Sequence, residues 1–212
     1  ISFGSQETVH TNASYGTIDL DYDSANDKTV VFYIDGGDSQ KGKAKVGTVS
    51  GTSISFGSAV LFQDTSTLRI SAAYDSSAGK FVVAYADMQD SQKGKARVGT
   101  VSGSAGSESF TLGTEQTISN NSWSYPFGTK TLSVEALGSS GSVIVSSRQG
   151  SNYPAARVLS VSGTTVTAGS ETIIYSGHKR GIDIGYFNPI CFLMISIDFI
   201  TSNISEWGIN GD

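Results

Sequence analysis

The chain repeats itself, and nothing else in it restricts the possible folds as much. Ile54-Ser-Phe-Gly57-Ser restates Ile1-Ser-Phe-Gly4-Ser. Phe110-Thr-Leu-Gly113-Thr and Val166-Thr-Ala-Gly169-Ser keep the pattern, and the four glycines lie 53, 56 and 56 residues apart. Val46-Gly-Thr-Val-Ser-Gly51 returns as Val98-Gly-Thr-Val-Ser-Gly103 and, more loosely, as Val158-Leu-Ser-Val-Ser-Gly163, with Trp207-Gly-Ile-Asn-Gly211 as a worn fourth copy. Asp35-Gly-Gly-Asp-Ser-Gln-Lys-Gly-Lys-Ala44 is nearly reproduced by Asp87-Met-Gln-Asp-Ser-Gln-Lys-Gly-Lys-Ala96. The repeats run over 1–53, 54–109, 110–165 and 166–212 and make up a single domain.

Each repeat reads as four strands, called a, b, c and d here. In the second copy these are Leu68 to Asp75, Lys80 to Asp87 and Lys95 to Ser102, with Ser53 to Phe62 before them as strand d. Ser76-Ser-Ala-Gly79, Gln89 to Gly94 and Gly103 to Gly106 supply the turns. Phe81-Val-Val-Ala-Tyr85 carries the strand alternation. A period of roughly 50 residues with four strands each fits propeller blades better than solenoids. The chain opens on a strand d and stops after a strand c. The spacing therefore predicts an all-β, four-bladed β-propeller of antiparallel four-stranded blades, its ring closed by residues 1–9 pairing with 204–211. Such closure would remove an exposed sheet edge. The alternative is a piece of a larger propeller.

Composition supports short strands and excludes several functions. Charged residues make up 16%, and 25 Gly stand against 3 Pro, a balance suited to tight turns rather than long helices. A net charge of −5 argues against a nucleic-acid partner. No apolar run is long enough to insert in a membrane; the longest, Ile190 to Ile200, is broken by Asp198. Cys191 stands alone, so no internal disulfide forms. No signal peptide is visible and the first residue is Ile1, which reads as a processed form, a fragment or an incomplete chain.

Gly47-Thr-Val-Ser-Gly51, Ile54-Ser-Phe-Gly-Ser58, Ala73-Tyr-Asp-Ser-Ser-Ala-Gly-Lys80 and Val82-Val-Ala-Tyr-x-Asp87 together resemble a repeat found in uncharacterised proteins of marine bacteria, protists and phages. Those proteins are similar to propeller-like surface or tail-fibre modules. The resemblance spans nearly the whole chain, closest in the first two copies and weakest in the fourth. It implies an extracellular, cell-surface or virion location and a binding or structural role, and it carries no residue-level function.

Candidate site residues come from comparing the copies. Aligned strands a place Asp19, Ser71, Ser133 and Asp183 at one position, and Asp21, Ala73, Glu135 and Gly185 at another. Across a narrow closed ring, Asp19 and Asp183 would suit a hard cation such as Ca²⁺ in the central channel, against the alternative of a polar, water-filled channel. Asp35, Asp38, Asp87 and Asp90 follow strand b, where a repeated ligand site competes with plain turn capping. Lys41, Lys43, Lys45 and Lys93, Lys95, Arg97 alternate along strand c and read as a solvated, charged face. Asn121 to Phe127 is an aromatic loop whose Trp123 and Tyr125 would stack on a sugar or a partner surface, or else pack on a blade edge. His10 and His178 have no nucleophile or metal-spaced partner nearby, and no hydrolase, P-loop or zinc-protease motif occurs. The leading expectation is a non-enzymatic module that recognises a glycan or a surface protein and is open to oligomerisation. The alternatives are a subunit of a fibre or sheath, and a carbohydrate-active hydrolase or lyase using Asp19, Asp21 and Glu135.

Overall fold

A computed structural model describes residues 4–12, 18–123, 132–138, 142–148, 154–174, 181–186, 191–197 and 204–210, with backbone alone for 142–148 and from 181 onward. The described residues form an all-β, antiparallel structure. The first unit holds β1 (Asp19–Asp23), β2 (Lys28–Asp35) and β3 (Lys41–Ser50), followed by β4 (Ser53–Phe56) and the start of β5 (Val60–Asp75), both paired with β3. The second unit takes the rest of β5, then β6 (Lys80–Asp87), β7 (Lys93–Ser102), β8 (Ser109–Leu112) and β9 (Gln116–Ser122). The third holds β10 (Leu132–Ala136), β11 (Ser142–Arg148), β12 (Pro154–Ser162), β13 (Thr165–Ala168) and β14 (Thr172–Ile173). The fourth has three strands, β15 (Gly181–Tyr186), β16 (Cys191–Ile197) and β17 (Ile204–Asn210).

Two features depart from the expected blade. Strand d is broken into two pieces, β4 then early β5, and β8 then β9. The break falls at Gly57 and Gly113, where a Cβ would meet backbone oxygens of Glu108 and Thr164 in the following unit at 3.1 and 1.8 Å. In addition, β5 runs from the outer edge of unit one straight into the inner edge of unit two. A bulge at Arg69, in left-handed backbone with φ 56°, turns it. Units one and two thereby merge into one strongly curled, nine-stranded sheet.

The b–c turns explain why one decapeptide is kept so closely. Ser39 and Gln40 have φ of 54° and 61°, Ser91 and Gln92 of 54° and 60°. Lys41 N–H donates to the Asp38 carbonyl, and Lys93 N–H to that of Asp90, each at 3.0 Å. This is the two-residue primed turn whose twist matches the strands it joins.

Alternation then places the core between units. Val30, Phe32 and Ile34 of unit one pack with Ile70, Ala72, Tyr74, Phe81, Val83 and Tyr85 of unit two. Phe32 sits 6.1, 5.9 and 5.6 Å from the rings of Phe62, Phe81 and Phe110. The other face of unit two, with Ala73, Val82, Ala84, Ala86, Ala96 and Val98, packs on Leu132, Val134, Leu159 and Val166 of unit three. Burying each large side chain there is worth about 1.5–3 kcal/mol.

The expected ring is not closed. The inner strands form a row in which β1 packs on β5, β5 on β10 and β10 on β15, so β1 and β15 are its two ends. Residues 4–8 belong to no strand, and β17 pairs with β16 alone among the described residues. Residues 4–12 lie instead on unit one. Gly36 N–H donates to the Asn12 carbonyl at 2.8 Å, and a Cβ on Gly4 would fall 1.6 Å from the Thr52 carbonyl oxygen.

Candidate functional site

The aligned carboxylates and hydroxyls of the inner strands link one unit to the next. On β1, Asp19 and Asp21 share a face with Phe32 and Val30, opposite which they are registered, and that face meets unit two. One Asp19 oxygen accepts from Ser71 Oγ at 2.8 Å and from the Ala72 amide at 2.9 Å; its other oxygen accepts from Leu20 N–H at 3.0 Å. Asp21 accepts from the Tyr74 amide at 2.6 Å and from Tyr22 N–H at 2.7 Å. Ser71 Oγ in turn accepts from the Val134 amide of unit three at 3.1 Å. A polar side chain at this position thus receives a backbone N–H from the next inner strand, twice over. Asp183 stands at the same register on β15, opposite Ile195 as Asp19 is opposite Phe32; its side chain lies outside the described residues. Asp19 and Asp183 are not brought together, because β1 and β15 are opposite ends of the row.

The four carboxylates after strand b are committed to local contacts. Asp35 is buried; it accepts from Gly37 N–H at 2.9 Å, from His10 Nε2 at 2.9 Å and from Lys43 Nζ at 2.8 Å. Burial alone would raise its carboxyl, but Lys43, His10 and the Gly37 amide outweigh that and hold the pKa down at about 2. Asp38 pairs with Lys41 at 3.4 Å and with Lys43 at 2.8 Å, and bonding to Lys43 above all lowers its pKa. Asp87 is also buried and accepts from Gln89 N–H at 3.0 Å and from Thr65 Oγ1 at 2.8 Å. Asp90 pairs with Lys93 at 2.8 Å and Lys95 at 2.5 Å, which lower its pKa in that order.

The strand-c cations differ from the expected solvated face. Lys43 and Lys95 side chains are 19% and 9% exposed, held between carboxylates and the outer strand. The carboxylates Asp35 and Asp38 raise the Lys43 pKa by hydrogen bonding. Lys95 also donates to Thr117 Oγ1 at 2.9 Å, Arg157 pairs with Glu171 at 2.8 Å, and Lys45 Nζ donates to the Val9 carbonyl at 2.7 Å. On β3 the basic side shares its face with Val31 and Tyr33, against which residues 9–10 lie, and on β7 with Val83 and Tyr85, which pack on unit one, so a preceding layer encloses it.

Trp123 is 1% exposed. Its ring lies on Gly94, where a Cβ would come within 2.1 Å of it, as Phe62 lies on Gly42 at 2.4 Å. The glycine inside strand c is the sequence signal for this, since a strand-interior Gly often marks a close approach. Tyr125, Phe127 and His178 fall outside the described residues. Among those described, no three His, Cys, Asp or Glu side chains gather in a way that would hold a metal ion. No helix among them is long and apolar enough to cross a membrane.

One group of residues was not singled out from the sequence. Ile18, Leu20 and Tyr22 alternate with Asp19 and Asp21 on strand a and lie 61, 59 and 46% exposed, beside Val49 at 48%. The alternation that marks the strand also marks this second face.

No protein-family model matches the chain, and no curated protein matches it either.

Proposed function

We propose that the units are blades of a propeller-type array, and that the array is a non-enzymatic binding or structural module displayed outside the cell or on a virion, with a glycan or a surface protein as its ligand. One observation carries this: the repeated carboxylates bind the protein to itself. Asp19 and Asp21 accept backbone amides of the next unit. Asp35, Asp38 and Asp90 are already paired with lysine ammonium groups, which disfavours a further cation there. Asp23, Asp35, Asp38, Asp90 and Glu108 are held toward the charged form by hydrogen bonds.

A glycan array read together with an assay for released reducing ends tests the module. Retention without release is expected, and release that Asp19→Asn abolishes would overturn it. The exposed apolar face of unit one favours a second form of the same reading, a subunit of a fibre or sheath.

A further inference from the structure

We infer that the free face of unit one takes the three-stranded fourth sheet of a second copy of this chain, in head-to-tail self-association. The inference rests on reading the units as blades. Three observations support it.

First, residues 4–12 occupy the place of an outer strand whose own sheet is missing. Gly4 lies against Thr52 as Gly57 lies against Glu108 and Gly113 against Thr164. Asn12 accepts from Gly36 N–H at 2.8 Å as Ser66 accepts from Met88 N–H at 3.0 Å. Gly57, Gly113 and Gly169 each donate to strand c of their own sheet, at Val46, Val98 and Val158, over 2.9, 2.8 and 2.9 Å. Among the described residues no strand c stands beside Gly4 in this way. The fourth sheet, β15–β16–β17, has the three inner strands and no outer one among the described residues.

Second, residues 4–12 cover only part of the face. His10 stacks on Tyr33 at 5.0 Å, and Tyr33 is buried. Ile18, Leu20, Tyr22 and Val49 stay open, while Ile70, Ala72, Tyr74 and Val101, at the same places in unit two, are buried against unit one.

Third, the fourth sheet offers the matching chemistry. Its register puts Leu193, Ile195 and Ile197 where Val30, Phe32 and Ile34 stand in unit one, and Asp183 where Asp19 stands. Leu20 and Tyr22 N–H bond to the side chains of their own neighbours Asp19 and Asp21, whereas Ala72 and Tyr74 N–H bond to carboxylates of the preceding unit. The chain's own fourth sheet packs on β10 at the far end of the row, so the matching sheet comes from another molecule. Addition of a sheet to a waiting outer strand is β-augmentation, and a heterologous contact of this kind propagates into rings or fibres.

Sedimentation of the full chain from micromolar to near-millimolar concentration tests this. The mean mass should rise at least twofold across the range, and Leu20→Lys with Tyr22→Lys should hold the chain monomeric, with the wild-type thermal midpoint at the lowest concentration. A monomer at every concentration, or a double variant that associates as the wild type does, overturns the inference. Amide exchange on the same samples separates this from failure of the blade reading. Protected Ala72 and Tyr74 amides in a monomer sink only the docking; unprotected ones sink the blades as well. Should Leu20→Lys with Tyr22→Lys fail to fold, Val49→Lys addresses the same face from β3 and reads out the same way.

Discussion

The inner strands of units one and two share isoleucine, tyrosine and aspartate at three of six aligned positions and live in opposite surroundings. Ile18 and Ile70, and Tyr22 and Tyr74, are identical pairs, yet the first members are 61 and 46% exposed and the second 3 and 7%. The difference lies in what stands behind each strand. Unit two is backed by Phe32, Phe62 and Val46 of unit one, whereas unit one is backed, among the described residues, by residues 4–12. A repeat therefore has no burial pattern of its own; burial belongs to the contact between two repeats. The same holds for the polar positions, since an Asp19 carboxylate on a lone unit would face water.

The sharpest way to break the comparison is to empty one position in both units. Phe81 touches Phe32, Tyr74 and Phe110, and its register partner Tyr74 corresponds to Tyr22, opposite which unit one has Thr29. Phe81→Ala should cost about 3–5 kcal/mol, and Thr29→Ala no more than about 0.5 kcal/mol, both from urea unfolding. Equal losses would mean that unit two is not supported from behind.

Next in size is the inner ladder. Asp19→Ala leaves the Ala72 amide and the Ser71 hydroxyl without their acceptor, at a cost of about 1–3 kcal/mol. Ser71→Ala, which removes one neutral acceptor from Val134 N–H, should cost about 1 kcal/mol. A double variant whose cost falls short of the sum would show that the two positions are coupled through their shared bond.

How far this was legible from the sequence depends on which contact is asked about. Lys80–Asp87 lies where the alternation predicts it, and the turn residues after it fall as the composition suggests, because both are local. The bulge at Arg69 was not legible, since an arginine there carries no turn signal. The enclosure of the lysines was missed for a related reason: period two says which side of β3 and β7 is basic, but not that a preceding layer covers it, whereas packing was one of the two expectations for Trp123. Gly42 and Gly94, whose missing side chains lie on the opposite side from the lysines, were the available clue to the packing of Phe62 and Trp123. For the free face, the apolar side of β1 is plain in Ile18, Leu20 and Tyr22, but exposure is a property of the neighbour.

The layer behind unit one also gives a pH signature. Asp35 has its pKa held at about 2, below the ordinary 3.8, by Lys43, His10 and the Gly37 amide acting against its burial. A carboxyl with a lowered folded pKa stabilises above its unfolded pKa and loses that contribution as pH falls through the folded one. Stability should therefore drop by about 1–2 kcal/mol between roughly pH 4 and pH 2, measured by urea midpoints across that window. Asp35→Asn should start lower and lose less over the same window. An unchanged pH slope in the variant would mean that residues 4–12 do not close over Asp35.

The smallest expected effect bears most directly on the two faces. In dilute solution Leu20→Ser should change stability by no more than about 0.5 kcal/mol, since the side chain is already in water. That near-neutrality is informative only beside a concentration series. Any partner that binds the folded face raises the midpoint of the wild type by mass action. The wild-type thermal midpoint should then climb with protein concentration while that of Leu20→Ser stays flat, so the gap between them widens from nothing. A buried Leu20 would give a large gap at every concentration, and a permanently bare one would give none. Only a face that is free in the monomer and covered in the assembly gives a gap that grows.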